Sequence, residues 1–443
     1  MRFSILVWIL FFSFQSLAQT PYEIIDEVSA ERIETDIRKL VSFGTRHTMS
    51  ETESGTRGIG AARRWIKSEF EKISESCGGC YEVSMQRTLE KGNAKTRITQ
   101  DTEVVNVLAI KRGTKYPNRY VIMAGDIDSR ISDPLNFTDD SPGANDNASG
   151  MAGVIEAARV LAKYDFESSI LLVGLSGEEQ GLYGGKHLAA KAVEEGWEIV
   201  GVLNNDMIGN IEGVDGVIDN RTFRIFSEPT NPTDTDFQQQ MRRYYGGEVD
   251  GISRQLARYV YTMTKTFMPE MNPMMIYRLD RFGRGGHHRP FCDAGFAGVR
   301  IMEAHENYNR QHQDIRVEDG IEYGDVIEGV NFEYAKKLTA VNAITLAALA
   351  SAPPAPKNVA ISGAVEPSTT LYWEAMEDDN LAGYRVYFRD TTSPTWDSYF
   401  DVDKDKTEFT LKGIVIDNYF FGVSAVGKDG NESLVVFPGE VKR

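Results

Sequence analysis

Beyond its N-terminal stretch the chain has no apolar run of the ~20 residues needed to span a bilayer, so no integral membrane segment is expected after signal cleavage. It lacks a basic excess: 48 Lys and Arg face 65 Asp and Glu, a net charge of −17. With no positive stripe to neutralise phosphates, a nucleic-acid partner is excluded. No long internal repeat is visible, so the chain is not a repeat array. Cysteine is scarce, with three residues. None follows the N-terminal apolar run, so no lipid anchor is expected. Cys77-Gly78-Gly79-Cys80 lacks the strand–helix–strand setting of a thioredoxin-like redox pair. Cys77 and Cys80 are therefore read as a small structural disulfide of an oxidising compartment. Cys292, beside Phe291, is left over and reads as a buried, inert thiol. Histidine is also sparse, at six.

What is present comes in blocks. A length of 443 residues exceeds one ordinary core. Residues 1–18 read as a signal peptide: Arg2 is the positive end, Ile5 to Phe14 the apolar core, and Ser16-Leu17-Ala18 a small-x-small cleavage site. The short leader, with no other sorting sequence, points to a bacterial export route and a secreted or periplasmic protein. Four Asn-x-Ser/Thr sequons, at Asn136, Asn147, Asn220 and Asn431, are read as chance matches.

From residue 19 to 352 strand-like and helical segments alternate. Val104 to Lys111 and Arg119 to Ala124 read as strands. A helix should run from near Ser149 through Leu161, another from Gly184 to Glu195, and strands should start at Ser169 and Ile199. A last helix spans roughly Glu333 to Ala350. This alternation predicts an α/β domain with a mainly parallel mixed sheet and helices on both faces. Residues 353–357 form a stiff Pro-rich linker. From 358 to 443 the texture changes to short, aromatic-rich and β-branched strands: Thr369 to Trp373, Gly383 to Phe388, Glu408 to Leu411 and Tyr419 to Val426. That predicts a small β-sandwich, and its strands resemble a fibronectin type III module. Such a module is expected either to act as a spacer for the larger domain or to contact a cell surface or polysaccharide. A surface role would expose Trp373 and Trp396, whereas a core Trp is the commoner case.

The chemistry lies at strand ends. Asp146 sits in Pro142-Gly143-Ala144-Asn145-Asp146-Asn147, the pair Glu178-Glu179 follows the apolar run ending at Leu175, and Asp206 ends Val200 to Asn205. In an α/β sheet such positions can converge on one crevice. Carboxylates sharing a crevice repel, and a bound cation is the usual remedy. Adjacent Glu178 and Glu179 at a turn can divide the work: one binds metal, the other takes a proton from water.

These blocks, with Gly286-His287-His288-Arg289-Pro290-Phe291 and Tyr308-Asn309-Arg310-Gln311-His312, resemble the co-catalytic zinc aminopeptidase family, which also includes glutamate carboxypeptidase and is related to glutaminyl cyclases. The resemblance covers most of Glu31 to Ser351. It implies that Asp146 bridges two metals, Glu178 is the general base, Glu179 and His312 bind one metal and Asp206 the other. It places His288 near the substrate carbonyl, and Arg284, Tyr308 and His288 become candidate oxyanion donors. The implied substrates are peptides.

One departure stands out. Where the family has His-x-Asp at the end of an earlier strand, this chain has Asp126-Ile127-Asp128. Asp126 is expected to bind in place of the histidine, with Asp128 orienting it. His287 likewise stands where the family has an acid. A first site of Asp126, Asp146 and Asp206 is all oxygen and suits Mn²⁺ or Mg²⁺, while Asp146, Glu179 and His312 suit Zn²⁺. The expectation is an exported metallo-aminopeptidase. The alternatives are a carboxypeptidase or single-metal glutaminyl cyclase of the same fold, or an inactive binding protein.

Overall fold

A computed structural model describes residues 20–442; the expected signal peptide lies outside them. The large sheet contains β1 (Glu82–Glu90), β2 (Thr102–Lys111), β3 (Tyr116–Asp126), β4 (Ser168–Leu175), β5 (Glu198–Asn205), β6 (Thr222–Phe226), β7 (Asn272–Ile276) and β8 (Gly298–Glu303). Its order is β1-β2-β4-β3-β5-β8-β6-β7. The central run β4-β3-β5-β8 is parallel, and antiparallel pairings join β1, β2 and β6 to it. The sheet is thus mixed with a parallel centre, as the alternation predicts.

Side chains on the central strands feed two cores in turn, because successive residues point to opposite faces. On β4, Ile170 and Leu172 enter one core, and Leu171, Val173 and Leu175 the other. The first is closed by α1 (Thr20–Glu27), α2 (Ala30–Val41), α3 (Gly58–Ser76), α4 (Ala148–Leu161), α8 (Ile252–Phe267) and the nearly all-buried α10 (Phe332–Ser351). The second lies under α6 (Tyr183–Glu194) and α9 (His288–Asp293). The one-turn α5 (Glu178–Gly181) precedes α6, and α7 (Asp236–Tyr245) carries no buried residue. The Cys77–Cys80 disulfide is formed after α3, and Cys292 is free and buried.

Gly150, on the first turn of α4, shows why the sheet and helix meet so closely. A Cβ there would fall 2.2 Å from the carbonyl oxygen of Asn205. Only glycine lets α4 start directly over the end of β5.

After a small hairpin of β9 (Arg316–Glu318) and β10 (Ile321–Tyr323), the C-terminal part holds β11 (Ala360–Ser362), β12 (Thr369–Tyr372), β13 (Leu381–Asp390), β14 (Ser398–Asp403), β15 (Glu408–Leu411), β16 (Tyr419–Gly427) and β17 (Glu440–Val441). They form sheets of order β15-β12-β11-β17 and β14-β13-β16 that share one apolar core around Leu371, Trp373, Val386 and Phe421. Trp373 is buried in that core. Trp396 is half-buried against α8, where its Nε1 donates to Gln255 Oε1 at 3.2 Å.

These sheets are docked against the larger domain. Asp250 pairs with Arg258 at 2.6 Å and with Arg389 of β13 at 2.7 Å, all three buried. Lys115 bridges to Asp378 and Asp379. Arg119 donates to the carbonyls of Ala352 at 2.9 Å and Pro353 at 3.3 Å.

Candidate metal centre

The segments after β3, β4 and β5 bring the carboxylates together above the C-terminal ends of these strands, and the segment after β8 adds His312. The loop before α4 carries Asp146. Its entry is set by Asn147, which caps α4 by accepting the Gly150 N–H at 3.1 Å. Asn147 Nδ2 donates in turn to Asp126 Oδ2 at 2.8 Å and to the Asn205 carbonyl at 2.7 Å. A fully buried amide so engaged cannot carry a glycan, consistent with a chance sequon. At the end of β4, Gly177 turns the chain with φ 75°, and α5 begins at the Glu pair. The backbone N–H groups of Glu178 and Glu179 donate to Asp128 at 3.2 and 3.0 Å. Asp128 therefore positions the Glu pair.

Among the described residues one compact set of ligand atoms forms: Asp146, Glu179 and His312. His312 Nε2 lies 2.8 Å from Glu179 Oε1 and 2.9 Å from Asp146 Oδ2. One imidazole nitrogen and two carboxylate oxygens fit zinc. Burial disfavours charge on these groups, yet the two carboxylates pull the His312 pKa up to about 9. Against the same burial, His312 holds both Asp146 and Glu179 below their usual values. His312 adopts φ 55° and Met207, after Asp206, φ 64°. Such backbone is uncommon for residues with a Cβ and gathers at functional sites.

Residues that the motif pattern does not reveal hold this set in place. Arg130 donates through Nε to Glu179 Oε2 at 2.7 Å and faces His312 Nδ1 through Nη2 at 2.7 Å. Asp325 accepts the backbone N–H of Asn145 at 2.8 Å. Gln311 Nε2 donates to Asp146 Oδ2 at 3.2 Å. Asp206 is buried, with Oδ2 paired to Arg300 at 2.9 Å. Arg300 in turn is held by Asp280 at 3.0 Å.

The remaining expected residues divide. Glu178 lines the cleft beside Glu179 and Asp206. Burial first, then the charges of Glu179, Asp206 and Asp126, push its carboxyl well above the usual range; a bound cation would bring it down. Arg284 lines the same cleft and is exposed. His288 does not belong there: it is fully buried, with Nε2 2.8 Å from the Leu279 carbonyl. Tyr308 is 57% exposed and is not among the residues lining the cleft. His288 at the start of α9 and Tyr308 are both directed away from the cleft, so the expected donor role fits neither. Asp126 lies outside the compact set. Both of its oxygens are engaged, Oδ2 by Asn147 and Oδ1 by His287 Nδ1 at 2.6 Å.

The cleft is about 770 Å³. Its lining also carries Arg97, Lys186, Arg281, Arg284 and Arg289, of which Arg281 pairs with Glu306 at 2.7 Å and Arg289 faces Asp293 at 3.7 Å.

Residues 106–324 match the family model described as Peptidase family M28. The chain is 41% identical over 418 residues to a "Probable zinc metalloprotease" of the fungus Pyrenophora teres f. teres, covering 94% of this chain and 86% of the relative. A protein of the same description from Leptosphaeria maculans is also 41% identical over 416 residues, covering 94% of this chain and 96% of the relative. Both relatives are fungal, so the bacterial, periplasmic part of the localisation expectation is withdrawn. Among solved structures, the LapA aminopeptidase of Legionella pneumophila superposes with a TM-score of 0.52 at 18% identity over 76% of each chain. LapB of the same organism gives 0.51 at 15% identity over 74% of each chain. These likenesses show the fold.

Proposed function

The chain belongs to peptidase family M28 and is a zinc metallopeptidase; from that premise we propose that it is an exported exopeptidase, an aminopeptidase, that removes N-terminal residues from peptides. The observation that carries the reading is the convergence of Asp146, Glu179 and His312 below a cleft whose free carboxyl group is Glu178.

Zinc, when bound, supplies Lewis acidity: it lowers the pKa of water and polarises a carbonyl. The chain's residues do the rest. Asp146, Glu179 and His312 hold the ion, with Arg130 fixing the Glu179 and His312 rotamers. Glu178 removes the proton from the attacking water and delivers it to the leaving amine. Asp128 anchors the turn that keeps Glu178 over the site. Arg284 is the donor available for the oxyanion or for the substrate. The C-terminal sheets are read as a fibronectin type III-like spacer, in keeping with the burial of Trp373.

One observation favours a second reading. The rim carries Lys186, Arg284 and Arg289, in a protein whose net charge is −17. A local positive rim attracts a substrate carboxylate rather than a free amine, which suits a carboxypeptidase or an acidic side chain next to the scissile bond.

The test is zinc content by elemental analysis, paired with hydrolysis of peptides blocked at one end or the other, before and after chelation. Chelator-sensitive cleavage that survives C-terminal amidation but not N-terminal acetylation supports the aminopeptidase. The reverse pattern supports the second reading. Zinc-free protein without cleavage overturns both.

A further inference from the structure

We propose that His287 is the nitrogen ligand of a second metal ion, with Asp206 as its oxygen ligand, and that Asp126 is the carboxylate that orients it. This rests on the zinc-peptidase reading above. It replaces the all-oxygen set of Asp126, Asp146 and Asp206 by one that contains an imidazole.

Each Asp126 oxygen is already engaged once, one by His287 Nδ1 at 2.6 Å and the other by Asn147 at 2.8 Å. In the tautomer that donates Nδ1–H to Asp126, the neutral imidazole of His287 carries its lone pair on Nε2. That Nε2 is buried and has no hydrogen-bond partner among the described residues. Asp206 Oδ1 is likewise buried and without a partner, its sister oxygen being held by Arg300. Burial holds the His287 ring neutral, against the charges of Asp128 and then Asp206. Two buried atoms are thus left, and both are acceptors. They cannot satisfy one another, and a buried acceptor left without a donor is destabilising. These atoms are not gathered as tightly as those of Asp146, Glu179 and His312; a cation drawn to both would satisfy them together.

The same conclusion follows from the chemistry of the pair. A histidine that binds metal through one nitrogen commonly gives the other N–H to a carboxylate, which fixes the ring and its tautomer. Asp126 and His287 have that arrangement. They also depart from the resembling family in opposite senses, Asp standing for His at 126 and His for an acid at 287. The fold puts the two departures in contact, so one imidazole and one carboxylate remain at this point, exchanged between β3 and the loop before α9. The imidazole brings the set back to the mixed nitrogen and oxygen donors that zinc favours.

The experiment is zinc stoichiometry and affinity on the full chain, with nitrogen ligands per ion counted by X-ray absorption. Wild type should hold two ions, and His287→Ala one, retained by Asp146, Glu179 and His312. Asp126→Asn should still saturate at two, with the second ion bound 10–100-fold more weakly, on the order typical for such supporting carboxylates. The exchange variant Asp126→His/His287→Asp should hold two again. Two ions in His287→Ala, or a wild type that saturates at one, overturns the proposal while leaving the zinc-peptidase reading intact. A wild type with none overturns that reading itself. If His287→Ala does not fold, the exchange variant decides, since a folded exchange protein limited to one ion also overturns the proposal.

Discussion

Asp325 holds Asp146 by its backbone: its Oδ2 accepts the Asp146 N–H at 2.7 Å. The grip extends to Asn145 through Oδ1 at 2.8 Å and to Ala144, whose N–H bonds the Asp325 carbonyl at 3.1 Å. The loop that presents Asp146 is thus moulded by a residue nearly 180 positions later. Asp325→Ala is expected to weaken zinc about 10–100-fold, the range for residues that orient ligands. Competition with a chromophoric chelator measures this. Unchanged affinity would reduce Asp325 to a loop brace without influence on the ion.

Glu178→Gln keeps the shape of the side chain and removes the base. Activity should fall about 10²–10⁴-fold in kcat, with zinc content as in wild type. Equal loss of zinc would show that Glu178 binds the ion and would sink the assignment.

The basic rim makes a prediction about substrate choice. Lys186→Glu and Arg289→Glu should raise KM for peptides with an acidic residue beside the scissile bond and leave neutral peptides nearly unaffected. The effect should shrink with added salt, because exposed charges are screened beyond about 8–10 Å at physiological ionic strength. A uniform loss across substrates would place these residues in the reaction itself.

Burial pushes the Glu228 carboxyl up to about 7, from the ordinary 4.5. The folded chain therefore holds this proton more tightly than the unfolded one. Its contribution to stability is full below about 4.5 and is lost as pH rises through about 7. Glu228→Gln should accordingly raise Tm at pH 8 and leave it nearly unchanged at pH 4. Thermal scans across that range check it; parallel curves for the two proteins would contradict it.

Asp250 separates two buried guanidiniums, Arg258 and Arg389. Asp250→Ala leaves both without their anion and should cost about 3–5 kcal/mol, read as lost stability in urea titration. Asp250→Ala with Arg389→Met should recover part of the loss.

Asp146 lies far beyond the end of β3 and was readable from its Gly- and Asn-rich motif just before α4. Glu179 and Asp206 were readable instead because each lies within a few residues of an apolar strand buried on both faces. Helices α4, α6 and α10 lie within two residues of their expected limits for the same reason. The strands β6, β7 and β8 are short, and their pattern does not stand out from the surrounding loops, so that half of the sheet was not apparent. Arg130, Arg300 and Asp325 act through contacts between segments far apart in the chain, which spacing cannot encode. The Asp126–His287 contact is of this kind. Each residue looks like a lost ligand until the fold sets one against the other. His288 misled for a related reason: its position in the motif is unremarkable, but its ring points to Leu279 rather than to the cleft.

The Pro-rich segment at 353–357 reads as a spacer, yet Pro353 and Pro356 are buried and Arg119 grips the carbonyls just before Pro354. A strap whose carbonyls are clasped in this way cannot swivel. The tail and the cleft accordingly share one set of axes. Whatever the tail rests against meets the mouth of the enzyme at the same bearing in every molecule, as with a rudder bolted to its hull.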